Sequence, residues 1–206
     1  MILNDLNGAL DVSRETLDRL DQYHALLKKW NPKINLVSAS TLPDAKERHF
    51  RDSVQVMSLI EGEAKTLVDM GSGGGFPGLV IAIVASDSRP DLAVTLIESD
   101  QRKASFLRTV LRETGTSASV LSKRIEQIDP INADVVTARA LAPLSSLCVF
   151  AHRHLKSDGQ ALFLKGKSWG KEVEAARTEW RFSCTRHTSV TDDSSVILDL
   201  RDLTYD

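Results

Sequence analysis

Apolar side chains recur at three- and four-residue spacing from Arg14 to Trp30, at Leu17, Leu20, Tyr23, Leu27 and Trp30. That period predicts an amphipathic helix with Ser13 as its N-cap. Residues 1–12 are loosely amphipathic and expected to be mobile at the start. Asn31-Pro32 is expected to end the helix, because a residue before proline avoids the helical region, and 31–38 is then a loop. A second helix is predicted from Pro43 to Ile60, with Phe50, Val54, Met57 and Leu59 or Ile60 inward, closed by Glu61-Gly62-Glu63.

Beyond residue 63 the pattern changes to short apolar runs separated by helical stretches. The runs are Leu67–Met70, Val94–Ile97, Val120-Leu121, Asp134–Thr137 and Gln160–Lys165. The helical stretches are 79–86, 101–115, 143–154 and 169–180, with a turn at Asp158-Gly159. Phe182–Val190 and Ser195–Leu200 read as a closing hairpin. Strand and helix in alternation imply a parallel sheet, and the hairpin adds an antiparallel strand. The expectation is an α/β core over 63–206, carrying a helical extension over 1–62 as one structural unit.

The first strand runs into a turn with glycines at 71, 73, 74 and 75, followed by Phe76-Pro77-Gly78 and a sticky helical run. Strand, glycine turn and helix form the ligand-binding corner of a doubly wound fold. Glycine permits positive φ and lets a ligand approach without a Cβ in the way. Pro77 suits the first helical turn, where a missing N–H costs nothing. Two readings compete. Residues 73–78 satisfy G-x-G-x-x-G, the dinucleotide fingerprint, which a glycine-dense turn meets easily. Asp69-x-Gly71-x-Gly73-x-Gly75 instead resembles the first motif of class I S-adenosylmethionine-dependent methyltransferases. A carboxylate at Asp69 would repel a pyrophosphate but suit an ammonium or an ordered water.

In open α/β sheets, ligands sit beyond the carboxyl ends of the strands. Those ends supply Asp69, then Glu98 as acceptor for ribose hydroxyls, then Ile125 and Glu126 beside an adenine. The fourth strand ends at Arg139, between two alanines, and the fifth at Lys165, with Lys167 two residues on. Arg139 is placed to hold a cofactor carboxylate, an RNA phosphate or a guanine edge.

Composition narrows the class. The chain has 206 residues, 42% hydrophobic and 26% charged, with a formal charge of −2. That argues against indiscriminate nucleic-acid binding but leaves room for a local basic face. Between 28 and 51, six basic side chains (Lys28, Lys29, Lys33, Lys46, Arg48 and Arg51) face only Asp44 and Glu47. His49, Arg51, Asp52 and Ser53 form a polar cluster that packing does not explain. No apolar run is long enough to span a membrane, and no secretory signal is visible. The two cysteines, Cys148 and Cys184, fit a reducing cytoplasm, not a disulfide framework. No Cys/His group has metal-ligand spacing, so no metal is expected.

Several segments together resemble one family. They are Asn35-Leu36-Val37-Ser38, His49-Phe50-Arg51-Asp52-Ser53, Val68 to Gly78, Lys103-x-x-Phe106-Leu107, Ala138-Arg139-Ala140 and Lys165-Gly166-Lys167. The chain is similar over roughly residues 20–200 to the bacterial ribosomal RNA small-subunit methyltransferase G family, also called glucose-inhibited division protein B. Gly74 departs from it, alanine being usual there. The resemblance implies a Rossmann-like class I methyltransferase fold, with a mostly parallel seven-stranded sheet and an antiparallel C-terminal strand. It implies S-adenosyl-L-methionine as cofactor and N7 of a guanosine in small-subunit (16S) ribosomal RNA as the acceptor. The acidic pI of about 6.2 points separately to limited affinity for naked RNA and so to a ribosomal particle as the substrate. Carried over residue by residue, Gly71, Phe76, Ile125, Glu126 and Arg139 contact the cofactor. Asp69, Gly73, Gly75 and Glu98 join them from the strand-end reading. Lys33, Asn35, His49, Arg51, Arg139, Lys165 and Lys167 are the candidates for RNA.

Guanine N7 carries its own lone pair, so no general base is required. Three rivals stay open: a methyltransferase of a small molecule or protein, a nicotinamide-dependent oxidoreductase, and a non-catalytic RNA-binding module.

Overall fold

The computed structural model describes residues 12–206. The expectation of a mobile start therefore lies, up to residue 11, outside the described residues. Seven strands form one sheet: β1 (Thr66–Met70), β2 (Ala93–Ile97), β3 (Ser119–Leu121), β4 (Ala133–Arg139), β5 (Leu155–Lys165), β6 (Trp180–Thr188) and β7 (Val196–Tyr205). Their order is β3-β2-β1-β4-β5-β7-β6. The first five are parallel, and β7 inserts antiparallel between β5 and β6. The chain reverses direction across the sheet between β1 and β4, which opens a crevice at their carboxyl ends.

β1 is central and paired on both sides. Its side chains alternate between two cores. Leu67 joins the core made with α3 (Gly78–Ser88) and the N-terminal helices, while Val68 and Met70 join the opposite one. α3 is buried from Gly78 to Ala85 because it is covered on its outer side as well. That cover is α1 (Arg14–Ile34), together with the segment 46–59, in one continuous core with the sheet. The hydroxyls of Ser13 and Thr16 donate to Asp87 at the end of α3, fastening the start of α1 there.

Four elements depart from the periodicity. α1 does not stop at Asn31-Pro32 but runs to Ile34, where Asn35 takes φ 48° as its C-cap. Proline this close to the end removes only one helical hydrogen bond, and the Asn31 side chain accepts from the backbone of Leu36 (2.9 Å) and Val37 (2.8 Å) instead. The second helix is not continuous. It is a wide π-type turn (Lys46–Arg51), one α turn, α2 (Asp52–Val54), and a 3-10 stretch (Gln55–Leu59). Phe50, Val54, Met57 and Ile60 still face inward. At the far edge, α6 (Trp169–Ala176) ends before Trp180, which opens β6 instead. β5 begins at Leu155, and the expected turn at Asp158-Gly159 is an irregular stretch within it, where its register against β4 shifts. α4 (Gln101–Thr114) and α5 (Leu144–His154) match expectation. Asp100 caps the first, accepting from the Arg102 N–H at 2.8 Å, and Gly115 at φ 63° ends it.

Candidate active site

The glycine turn is built by three left-handed residues: Gly71 (φ 66°), Gly73 (φ 55°) and Gly75 (φ 97°). Their surroundings differ. A Cβ on Gly75 would strike the Tyr23 hydroxyl, and one on Gly71 the side chain of Leu141. A Cβ on Gly73 would meet nothing closer than 3.7 Å. Gly73 therefore borders open space, while its neighbours border packed structure. Gly74 is close-packed as well, its Cβ position 2.9 Å from the Leu36 carbonyl. The Tyr23 hydroxyl donates to the Gly74 carbonyl, and its ring stacks on Phe76 at 5.4 Å. The N-terminal extension thus grips the turn directly.

The open space is a cleft of ≈ 400 Å³ at the strand ends. Gly71, Gly73, Phe76, Glu98, Ile125, Glu126 and Arg139, read off the sequence, all line it. Glu98 is buried. One carboxylate oxygen accepts the Gly73 N–H at 2.8 Å and the other the Asp100 N–H at 2.7 Å. Each oxygen keeps a lone pair, so the side chain is fixed in place and still an acceptor. Ile125 opens a short 3-10 turn held from below, its carbonyl 3.1 Å from Nε2 of the buried His154. Leu36, Lys103, Lys123, Arg124 and Leu141 also line the cleft and were not named as site residues. Leu36 and Leu141 left no signal, since both look like ordinary core positions. Lys123 and Arg124 follow a predicted strand end and were findable, whereas Lys103 lies in the first turn of α4.

Asp69 departs from its expected place near a cofactor ammonium. It points under α3, fully buried, and does not line the cleft. Thr137 Oγ1 donates to its Oδ1 at 2.8 Å, while Oδ2 lies against Gly78 without a well-aligned donor. Burial raises its pKa to about 6, against the opposing pull of the nearby Ser72 hydroxyl, the Thr137 hydrogen bond and the Gly78 N–H dipole. Alternation along β1 decides this, because Asp69 shares a face with Leu67. Gly78 is glycine for the same reason: a Cβ there would stand 2.3 Å from the Asp69 Cβ.

Arg139 sits at the other wall. Its guanidinium lies over the Phe76 ring at 4.9 Å and donates to His49 Nδ1 at 2.9 Å. Asp52 Oδ2 is 3.9 Å away. The His49 ring is fixed at its far side by Thr41, with Nε2 2.9 Å from Oγ1. Desolvation and the charge of Arg139 push the His49 pKa down to about 3, so the ring is neutral at pH 7. Nδ1 then accepts from Arg139 and Nε2–H donates to Thr41. Asp52 Oδ1 accepts from Gln55 (2.7 Å) and from Ser189 (2.9 Å) in the β6–β7 loop. Burial raises the Asp52 pKa, while its hydroxyl and amide donors and Arg139 oppose the shift. This cluster ties the N-terminal extension, the end of β4 and the C-terminal hairpin together.

A second pocket of ≈ 300 Å³ adjoins the first, and Arg139 and Ala140 line both. Ala140 takes φ 51°, turning the chain sharply at this shared wall. Asp52, Leu164, Lys165, Glu172 and Ser195 complete the pocket. Lys165 is nearly buried and already engaged. Its Nζ lies 2.5 Å from Glu172 and donates to the Ala142 carbonyl at 3.0 Å. Glu172 also accepts the Leu144 N–H at 3.0 Å, which pins the loop from Ala140 to the start of α5. Among the other RNA candidates, Arg51 pairs with Glu47 at 2.7 Å, and Asn35 serves as a helix cap. Lys33 and Lys167 are exposed.

The cleft suits S-adenosylmethionine by its own features. It has a glycine whose Cβ would intrude on it, a fixed carboxylate with spare acceptors, and a size within the range of small-molecule sites. Solved structures share the fold. A TehB-like SAM-dependent methyltransferase from Corynebacterium glutamicum superposes with TM-score 0.58 at 13% identity, covering 88% of this chain and 98% of that one. A T. thermophilus 16S rRNA methyltransferase in complex with AdoMet and guanosine gives TM-score 0.52 at 14% identity, over 73% of this chain and 38% of that one. Fold and site together define a class I S-adenosylmethionine-dependent methyltransferase.

The sequence comparisons are narrower. The family model described as rRNA small subunit methyltransferase G matches residues 16–198. A ribosomal RNA small subunit methyltransferase G of Ruegeria sp. (strain TM1040) is 52% identical over 95% of both chains. Its counterpart in Paramagnetospirillum magneticum is 51% identical over 93% of this chain and 91% of its own. The chain belongs to the ribosomal RNA small subunit methyltransferase G family.

Proposed function

We propose that the enzyme transfers a methyl group from S-adenosylmethionine to N7 of a guanosine in 16S ribosomal RNA, in the cytoplasm and on a ribosomal particle. The observation that carries this reading is the shared wall. Two cavities meet at Arg139 and Ala140, so a base in the second pocket lies beside a cofactor in the first. When bound, the cofactor supplies an electrophilic methyl group on a sulfonium.

The protein's part is positioning. Gly71, Gly73, Gly75 and Phe76 shape the turn that receives the cofactor, and Glu98 accepts from its ribose hydroxyls. Ile125 and Glu126 border the adenine. Asp69 acts from beneath, holding the start of α3 against β1. Guanine N7 is unprotonated and attacks directly, so no side chain has to remove a proton. His49, the titratable ring nearest Arg139, has both nitrogens engaged and is not available as a base. Holding two reactants in line supplies much of the acceleration in such a displacement. Positive charge moves onto the base during transfer, so a free cation at N7 would oppose it. Arg139 is restrained by Asp52, His49 and Phe76 and is suited to the base's O6. A base inside folded RNA is reached by flipping it out or by taking it unstacked. Lys33, Arg48, Arg51 and Lys167 are the basic groups suited to the flanking phosphates. Asn35 and Lys165 act through the backbone they hold.

The test is tritiated methyl transfer to small ribosomal subunits lacking the modification, with the product nucleoside identified by mass. Label in N7-methylguanosine is expected. Cofactor binding without any label on RNA would move the substrate to a small molecule or protein. Protein-free rRNA methylated as fast as assembled subunits would remove the particle from the reading.

A further inference from the structure

The cleft carries more positive charge than its cofactor can use. Lys103, Lys123, Arg124 and Arg139 line it, against Glu98 and Glu126. Arg139 is restrained by Asp52, as described. The other three have no ion-pair partner among the described residues. Neighbouring Arg102, by contrast, is paired with Asp100 at 3.2 Å. Lys123 and Arg124 are exposed and Lys103 is half-buried. S-adenosylmethionine itself is a net cation, with a sulfonium added to a zwitterionic amino acid. Three spare cations at its doorway disfavour it. A phosphate backbone is the ligand whose chemistry fits them.

We propose that Lys103, Lys123 and Arg124 form a phosphate-binding rim along the β3 side of the cleft, on which the RNA backbone docks and offsets their charge. This rests on the RNA substrate reading above. The RNA then spans both sides of the cleft mouth, since Leu36, three residues after Lys33, lines the same cavity. Docking also changes which cofactor form the cleft prefers. Transfer removes the sulfonium charge, so S-adenosylhomocysteine is electrically neutral overall. Without RNA the rim opposes the charged donor and not the spent product. With phosphates on it, that bias disappears. Binding of RNA and of the donor are therefore mutually reinforcing, as linkage requires.

The test is a full-length variant carrying Lys103→Gln, Lys123→Gln and Arg124→Gln, with the three single variants alongside. Each is titrated calorimetrically with S-adenosylmethionine and S-adenosylhomocysteine, and assayed on unmodified small subunits across a salt series. The triple variant should raise KM for subunits about tenfold and lower the log–log salt slope by about 2. At low salt it should bind S-adenosylmethionine about two- to fivefold more tightly, with S-adenosylhomocysteine unchanged. Weaker binding of S-adenosylmethionine would make these residues cofactor ligands and overturn the proposal. Unchanged KM and salt slope would also overturn it, showing them to be merely solvated. If the wild-type enzyme labels no rRNA, the substrate reading falls and this one with it. A labelling wild type beside an indifferent variant removes only the rim.

Discussion

The two sides of the cleft treat charge in opposite ways. On the β2–β3 side, Lys103, Lys123 and Arg124 have no ion-pair partner among the described residues, and Glu98 keeps spare acceptors. On the β4–β5 side every strand-end charge is engaged. Arg139 meets Asp52, His49 and Phe76, and Lys165 meets Glu172 and Ala142. The difference separates groups kept for a ligand from groups that fix the shape of a wall. A lone charged residue at a strand end is equally suggestive in either case, and only its partners tell which it is.

Substitutions should respect that division. The largest effect is expected on the open side. Gly73→Asp fills space that nothing else occupies and sets a second carboxylate beside Glu98. Aspartate tolerates the left-handed backbone better than most residues, so the fold should survive at a cost of about 1–2 kcal/mol. Affinity for S-adenosylmethionine should fall more than about 100-fold by calorimetric titration, since that group meets the cofactor's ribose region. Normal binding would mean that Gly73 does not face the cofactor. Asp52→Ala should show the reverse balance. It strips the Arg139 guanidinium of its carboxylate and removes the side-chain oxygen on which Ser189 and Gln55 converge. Unfolding free energy in urea should drop by about 1–3 kcal/mol, and kcat by about tenfold, with cofactor affinity little changed. Equal stability of variant and wild type would show that the seam is not structural.

The same division governs how much could be read from the sequence. The glycine turn, Glu98 and the Ile125-Glu126 edge were legible because each depends on local rules: period two along strands, positive φ at glycine, and the strand-end position of ligands. The parallel character of the sheet followed from alternation, and the antiparallel close from the absence of a helix before β7. The engaged side was not legible. Lys165 and Glu172 are seven residues apart with a turn between, and nothing local pairs them. Asp52 reaches Ser189 over 137 residues. Asn31 looked like a helix stop because Pro32 follows it; its side-chain bonds to Leu36 and Val37 depend on how the chain turns back and left no local sign. Asp69 was misplaced by its motif, although strict alternation with Leu67 already assigned it to the α3 face.

The smallest effect expected is the most specific to the seam, and it appears only in acid. His49 has a folded-state pKa near 3, lowered first by burial and then by Arg139, against about 6.5 in an unfolded chain. Between those values the unfolded chain takes up a proton that the folded one refuses. Stability is therefore unaffected above about pH 6.5 and falls as pH drops from there toward 3. His49→Gln keeps an acceptor for Arg139 and a donor for Thr41 but cannot take the proton. Urea unfolding of both proteins at pH 8 and pH 5.5 should show the wild type losing roughly 1 kcal/mol more than the variant, after allowing for partial solvent screening. Other titrating groups are common to both proteins and cancel in the difference. Parallel stability profiles would mean that His49 accepts a proton freely in the folded enzyme. Arg139 would then have to give up its bond to Nδ1, and the contrast between an engaged wall and an open one would be lost at the residue where the two cavities meet.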